Sequence, residues 1–266
     1  MKKVNLIIGL VLLSFISINS INAQFISAAD LSKASDVIIV SARSAADYSK
    51  VHIKDAISVD VSLFESTGGI KGKLKSASEM AKILGSKGLS KTSKIVVYDD
   101  GKNIRACRLY WILKYLGATD VKILEGHMKA WKDARKPLVK TITSLKAATF
   151  TPSVNENIYA TKAYVTSKLN NASVAIVDVQ TKEEFDKGHI EGAINIDHKS
   201  LINPDGKFKS KAQLESIFKN AGVTSNKEVI LYCASSARAG VAYVALTQIL
   251  NYSKVRVFED GLYGWK

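Results

Sequence analysis

Residues 174–197 read VAIVDVQTKEEFDKGHIEGAINID, and residues 37–60 read VIIVSARSAADYSKVHIKDAISVD. The two align without a gap. Val37, Ile39, Val40, Lys50, His52, Ile53, Ala56, Ile57 and Asp60 recur as Val174, Ile176, Val177, Lys187, His189, Ile190, Ala193, Ile194 and Asp197. A second pair of blocks repeats further on: KIVVYDD (94–100) matches EVILYCA (228–234), and the segment from Val121 to Trp131 matches that from Val255 to Trp265. Self-similarity at a fixed spacing is most economically two copies of one structural unit. Each copy alternates short apolar runs with longer polar or amphipathic stretches, which predicts strands alternating with helices. Such an order implies a mostly parallel sheet covered on both faces, an α/β doubly wound fold.

Around the repeat the rest of the chain falls into place. The 266 residues, 47% of them hydrophobic, suffice for about two domains and a real core. Residues 1–23 hold two lysines, an apolar run from Val4 to about Ile16, polar residues and a closing Ala23, the pattern of a cleaved signal peptide. The run is shorter than the ~18 residues a bilayer span prefers. The expectation is a periplasmic or secreted protein with no lasting membrane insertion. The expected domains are 24–145 and 159–266, joined by a polar linker at 146–158 that contains Pro152.

Charge and cysteines narrow the chemistry. The formal charge is +14, and loss of Lys2 and Lys3 with the leader lowers it by two. Such a surface steers small anions inward. A nucleic-acid partner is disfavoured, because no basic patch is interleaved with aromatics. Only Cys107 and Cys233 are present, so this is no disulfide-stapled scaffold, and neither a C-x-x-C nor paired histidines offers metal-ligand spacing. Cys107 lies in RACRLYWILKYLG (105–117), whose helical apolar period marks it as a small core residue.

Cys233 is different. The stretch VILYCASSARAGVAYV (229–244) puts it between an apolar strand and an apolar helix, at the carboxyl edge of a parallel sheet, where ligands bind in open α/β folds. Ala234, Ser235, Ser236 and Ala237 are small enough to turn successive amides toward the sulfur, and Arg238 adds a permanent cation with planar donors. Those amides and the helix start favour thiolate over thiol and hold an anion beside it. The equivalent corner of the first copy carries Asp99, so the second copy alone is expected to be reactive. His52 and His189 occur in both copies and are expected to shape a turn.

IVDVQTKEEFDKGHIEGAINI, LYCASSARAG and VFEDGLYGW together resemble the two-domain rhodanese family, sulfurtransferases of the thiosulfate or 3-mercaptopyruvate type. VVYDDGKNIRACRLYWILKYLGATDVKILEGHMKAW resembles the family's non-catalytic amino-terminal domain. The resemblance implies two tandem rhodanese-like domains and ping-pong sulfur transfer through a Cys233 persulfide, with no cofactor. It implies a small anionic sulfur donor (thiosulfate, 3-mercaptopyruvate or polysulfide) and a thiol, cyanide or protein-thiol acceptor. It also implies that Ala234, Ser235, Ser236, Ala237 and Arg238 bind substrate and that Asp178 braces the loop by hydrogen bonds from behind. The chain departs from the family at Gln180, where an arginine is usual, at Ser236, where glycine is usual, and at Ala239, where Ser or Thr is common. Two alternatives remain at this stage. One is a persulfide carrier or inactive scaffold; the other is a cysteine phosphatase or arsenate reductase, which would place five residues between cysteine and arginine rather than the four found here.

Overall fold

The computed structural model describes residues 24–266. The proposed leader, residues 1–23, lies outside the described residues. Twelve strands are present among them: β1 Phe25–Ile26, β2 Ile38–Ser41, β3 His52–Ile53, β4 Ile57–Ser58, β5 Lys94–Tyr98, β6 Asp120–Leu124, β7 Leu138–Val139, β8 Tyr159–Ala160, β9 Val174–Asp178, β10 Ile194–Asn195, β11 Glu228–Tyr232 and β12 Val255–Phe258. They build two five-stranded parallel sheets, ordered β1-β6-β5-β2-β4 and β8-β12-β11-β9-β10. The two orders are the same, strand for strand, so the sequence repeat is a repeat of topology. The short antiparallel pair β3–β7 ties the tail of the first unit back to its His52 turn.

The central strands IVVY and VILY are continuous apolar runs, and their residues are buried, as a sheet covered on both faces requires. Helix Ile104–Tyr115 follows β5, and helix Ala239–Val244 follows β11. Both are buried nearly all round, because each is pressed between its own sheet and the other unit. They cross so closely that a β-carbon on Gly240 would stand 2.8 Å from the Cys107 carbonyl oxygen. One hydrophobic cluster runs through this crossing and joins both sheets, while each unit keeps a smaller cluster on its outer face.

The segment between the units is extended and pinned to the first one. Ala148 N donates to Gly85 O, Ser153 N to Leu116 O and Asn155 N to Tyr115 O, and Phe150 is buried. Two hairpin-like loops, closed by the bridges Glu65–Leu74 and Ile202–Phe208, exchange places across the interface. The first lies on the loops after β11 and β12, with Gly72 against Ser235 and Lys73 3.1 Å from Asp260. The second lies on the loop after β5, where Asn103 Nδ2 donates to Gly206 O at 2.8 Å.

Candidate active site

β9 and β11 pair in register up to Asp178 and Tyr232, so the chain leaves both strands at one carboxyl edge. The chain connections diverge between these two strands, which makes this edge a switch-point crevice. Cys233 is the first residue past β11 and is 1% exposed. Its carbonyl accepts from Leu262 N at 2.9 Å, and that of Ala234 accepts from Tyr263 N at 3.0 Å. With the carbonyls drawn outward, the backbone amides of Ala234, Ser235, Ser236, Ala237 and Arg238 meet no carbonyl or carboxylate acceptor among the described residues. A run of free amides beside a buried sulfur is a cradle for negative charge.

Ser236 takes a backbone conformation that ordinarily calls for glycine. Its φ of 58° lies in the left-handed region that favours glycine, and its hydroxyl donates to the Phe258 carbonyl, tying the loop to the end of β12. Gly261 closes the other side, since a β-carbon there would stand 2.6 Å from the carbonyl oxygens of Cys233 and Ala234.

Arg238 lies at the entrance. It forks onto Glu184, with Nη1 at 2.5 Å and Nη2 at 3.2 Å from the carboxylate oxygens. Burial works against its charge, but Glu184 and the Cys233 sulfur outweigh that and hold the guanidinium protonated. Arg238 in turn keeps the Glu184 carboxyl below its ordinary range. Glu184 also caps its own helix, Lys182–Lys187, by accepting from Thr181 N. Beyond this pair opens a cavity of about 580 Å³ that the first unit helps to line through Lys102 and Ile104, facing Lys199, Asn203 and Pro204.

Asp178 is buried behind the crevice, and burial raises its carboxyl above the usual value. Its oxygens accept from Gln180 N at 2.9 Å and Gln180 Nε2 at 3.0 Å. Asp178 thus bonds Gln180 within its own turn, while Tyr232 and Arg238, on either side of Cys233, also act to hold its carboxyl charged. His52 and His189 occupy matching turns: each bonds through Nδ1 to the carbonyl four residues earlier and stacks on the ring of that residue, Tyr48 or Phe185, at 3.8 Å. Neither reaches the crevice. Cys107 is fully buried on the helix between the sheets, and burial pushes its thiol well up. Both cysteines are free thiols.

The first unit supplies the control. Asp99 follows β5 as Cys233 follows β11, and its carboxylate accepts from Gly101 N at 2.7 Å, Asn103 N at 3.3 Å and Ala106 N at 3.1 Å. The cradle of the first copy is thus filled by the chain's own anion, whereas in the second the amides of 234–238 have no such acceptor among the described residues.

Two participants are invisible as sequence motifs. Glu184 looks like an ordinary helix-capping glutamate. Arg108 looks like one of three basic residues on an otherwise largely apolar helix, yet it pairs with Glu259 across the interface. The sequence signal for Arg108 is its charge directly between Cys107 and Leu109 in the apolar part of the helix.

Among known proteins, a model of the rhodanese-like domain matches residues 27–134 and again 161–266. A Thermus thermophilus protein named sulfur carrier protein TtuD is 28% identical over 210 residues, 71% of this chain and 74% of its own. A Haloferax volcanii protein named "Putative thiosulfate sulfurtransferase" is 30% identical over 199 residues, 69% of each chain. The crystal structure of the 3-mercaptopyruvate sulfotransferase SseA of Escherichia coli superposes with a TM-score of 0.82 at 24% identity, covering 90% of this chain and 99% of that one. A structure of EanB with ergothioneine gives 0.84 at 18% identity, covering 91% and 68%. At those identities the two structural likenesses speak for the fold alone.

Proposed function

This chain belongs to the rhodanese-like family, and on that premise we propose that it is a sulfurtransferase acting through a persulfide on Cys233. The observation that carries the proposal is the contrast between the two cradles: Asp99 fills one with a carboxylate, and Cys233 sits in the other beside unoccupied amides and Arg238. Sulfur transfer uses both features. The Cys233 thiolate attacks the outer sulfur of the donor, a new S–S bond forms, and the donor's S–S or C–S bond breaks with its electron pair leaving on sulfite, pyruvate enolate or a shortened polysulfide. The amides of 234–238 then carry the negative charge of the persulfide. A thiolate or cyanide attacks the terminal sulfur, and the electron pair returns to Cys233.

The donor we propose is a small anion, thiosulfate, 3-mercaptopyruvate or polysulfide, drawn toward Lys102, Lys199 and Arg238, which line the cavity. The leader pattern of residues 1–23 supports export as the setting. The four residues between Cys233 and Arg238 count against phosphate-ester chemistry, because the ring is tighter than the five-residue loop that encircles a phosphate. Steady-state assay separates enzyme from carrier: an enzyme forms thiocyanate from cyanide through many turnovers with at least one of these donors. A carrier loads Cys233 once and stops. Cell fractionation with an antibody to the mature chain tests export, which retention of the full-length form in the cytoplasm would refute.

A further inference from the structure

The geometry points to Arg108 of the first unit as a positioning residue for the Cys233 loop of the second, an inference that rests on the sulfurtransferase reading of Cys233. Arg108 and Glu259 are 4% and 3% exposed, and they meet fork to fork, Nη1 to Oε2 at 2.7 Å and Nη2 to Oε1 at 2.5 Å. Glu259 begins the turn Glu259-Asp260-Gly261-Leu262-Tyr263. That turn ends in the two amides that hold the carbonyls of Cys233 and Ala234, and it contains the glycine against which those carbonyls pack. Fixing Glu259 therefore fixes the direction in which the loop's carbonyls point, and so the opposite direction of its amides. A bidentate guanidinium–carboxylate pair does this with two parallel bonds and little freedom to swivel. Burial works against the Arg108 charge, but Glu259, the Cys233 sulfur and Glu65 outweigh it, so the arginine also places a permanent cation within the field of the sulfur.

The repeat shows that this device is one-sided. The position equivalent to Arg108 in the second copy is Ala242, although the residue equivalent to Glu259 is again an acid, Glu125. Glu125 is half-exposed and only reaches Lys207 at 4.0 Å. In the first copy Met128 N still holds the Asp99 carbonyl, at 3.2 Å, and His127 Nδ1 accepts from Asp99 N, but no buried arginine braces the turn. The buried arginine thus serves only the turn that faces the reactive cysteine. A second contact from the first unit, Lys73 on Asp260, bears on the same turn.

The test uses the full mature chain in three forms: wild type, Arg108→Gln, and Arg108→Gln combined with Glu259→Gln. Amide hydrogen exchange reads Leu262 and Tyr263, whose amides hold the loop's carbonyls, and rapid quench with intact mass reads sulfur loading from thiosulfate and from inorganic polysulfide. Arg108→Gln is expected to speed exchange at Leu262 and Tyr263 and slow loading by about tenfold or more, with the donor KM within about twofold, because orientation and not donor affinity is lost. The double variant, which leaves no unpaired buried charge, is expected to regain Tm while exchange stays fast and loading stays slow. Recovery of loading in step with Tm would reduce Arg108 to a stabilising residue and overturn the inference, as would unchanged exchange in Arg108→Gln. A wild-type protein that takes up no sulfur would defeat the sulfurtransferase reading instead, and the exchange measurement would still decide whether Arg108 positions the loop.

Discussion

Cys233 and Asp99 sit at equivalent corners, and the difference between them is one of charge placement. Asp99 satisfies three amides permanently, so its loop has no room for a visiting anion. Cys233 leaves the amides that correspond to those of Gly101 and Asn103, Ser235 N and Ala237 N, without an acceptor among the described residues, so its loop has. Asp99→Ala is accordingly expected to leave sulfur transfer at Cys233 within about threefold while costing about 1–3 kcal/mol of stability, since buried amides lose their acceptor. Urea unfolding and cyanide turnover on the same preparation check both halves. The strand-to-helix position of Cys233 and the contrast with Asp99 were legible in the sequence, because the repeat aligns them. The conformation of Ser236 was not: a serine at φ 58° is held by a bond to Phe258, a partner 22 residues away that no local pattern indicates.

At the level of elements, the molecule is set by the crossing of helices Ile104–Tyr115 and Ala239–Val244. Strand and helix order followed from apolar runs and their periods, but which helices would be buried on two sides did not, since periodicity reports a face and not its partner. Gly240 sits where the two backbones touch, with the Cys107 carbonyl only 2.8 Å from any added β-carbon. Gly240→Ala is therefore expected to force the helices apart and destabilise the chain by about 1–3 kcal/mol, the range for overpacking a tight core; a Tm equal to wild type would contradict this. Gly261→Ala acts at a different point. Its β-carbon would press on the carbonyls of Cys233 and Ala234, and its φ of 56° disfavours any side chain. The expected outcome is a loss of sulfur loading of about tenfold or more, larger than its Tm change would explain, because about an ångström of displacement at a reacting group is enough.

Across the whole molecule, the two units are linked by a chain of bonds that fixes a histidine's state. Asp99 N donates to His127 Nδ1 at 3.0 Å, His127 Nε2 bonds Asn103 Oδ1 at 2.7 Å, and Asn103 Nδ2 donates to Gly206 O in the other unit. Nδ1 must therefore be unprotonated, and burial, opposed by Asp99 and Asp100, lowers the pKa of His127 below its ordinary value. A histidine with a depressed folded pKa contributes stability that is full above about pH 6.5 and is lost as pH falls toward the folded value, because the unfolded chain takes up the proton first. His198, also lowered by burial, adds to the same trend. His127→Asn should accordingly show a smaller drop in Tm between about pH 7.5 and 5.5 than the wild type, and an equal drop would remove His127 from the account. None of this network could be read from the sequence, since its members lie in three separate segments joined only by the pairing of the units. The site as a whole was half legible: its nucleophile and loop stand in one continuous stretch, while Arg108, Glu184 and the cavity wall come from elsewhere in the chain. The most direct test of the central claim is the intact mass of the mature protein after incubation with thiosulfate, 3-mercaptopyruvate or inorganic polysulfide, beside Cys233→Ala. The account predicts a gain of one sulfur atom in the wild type with at least one donor, and none in the variant. A gain that survives Cys233→Ala, or no gain with any of the three, would contradict it.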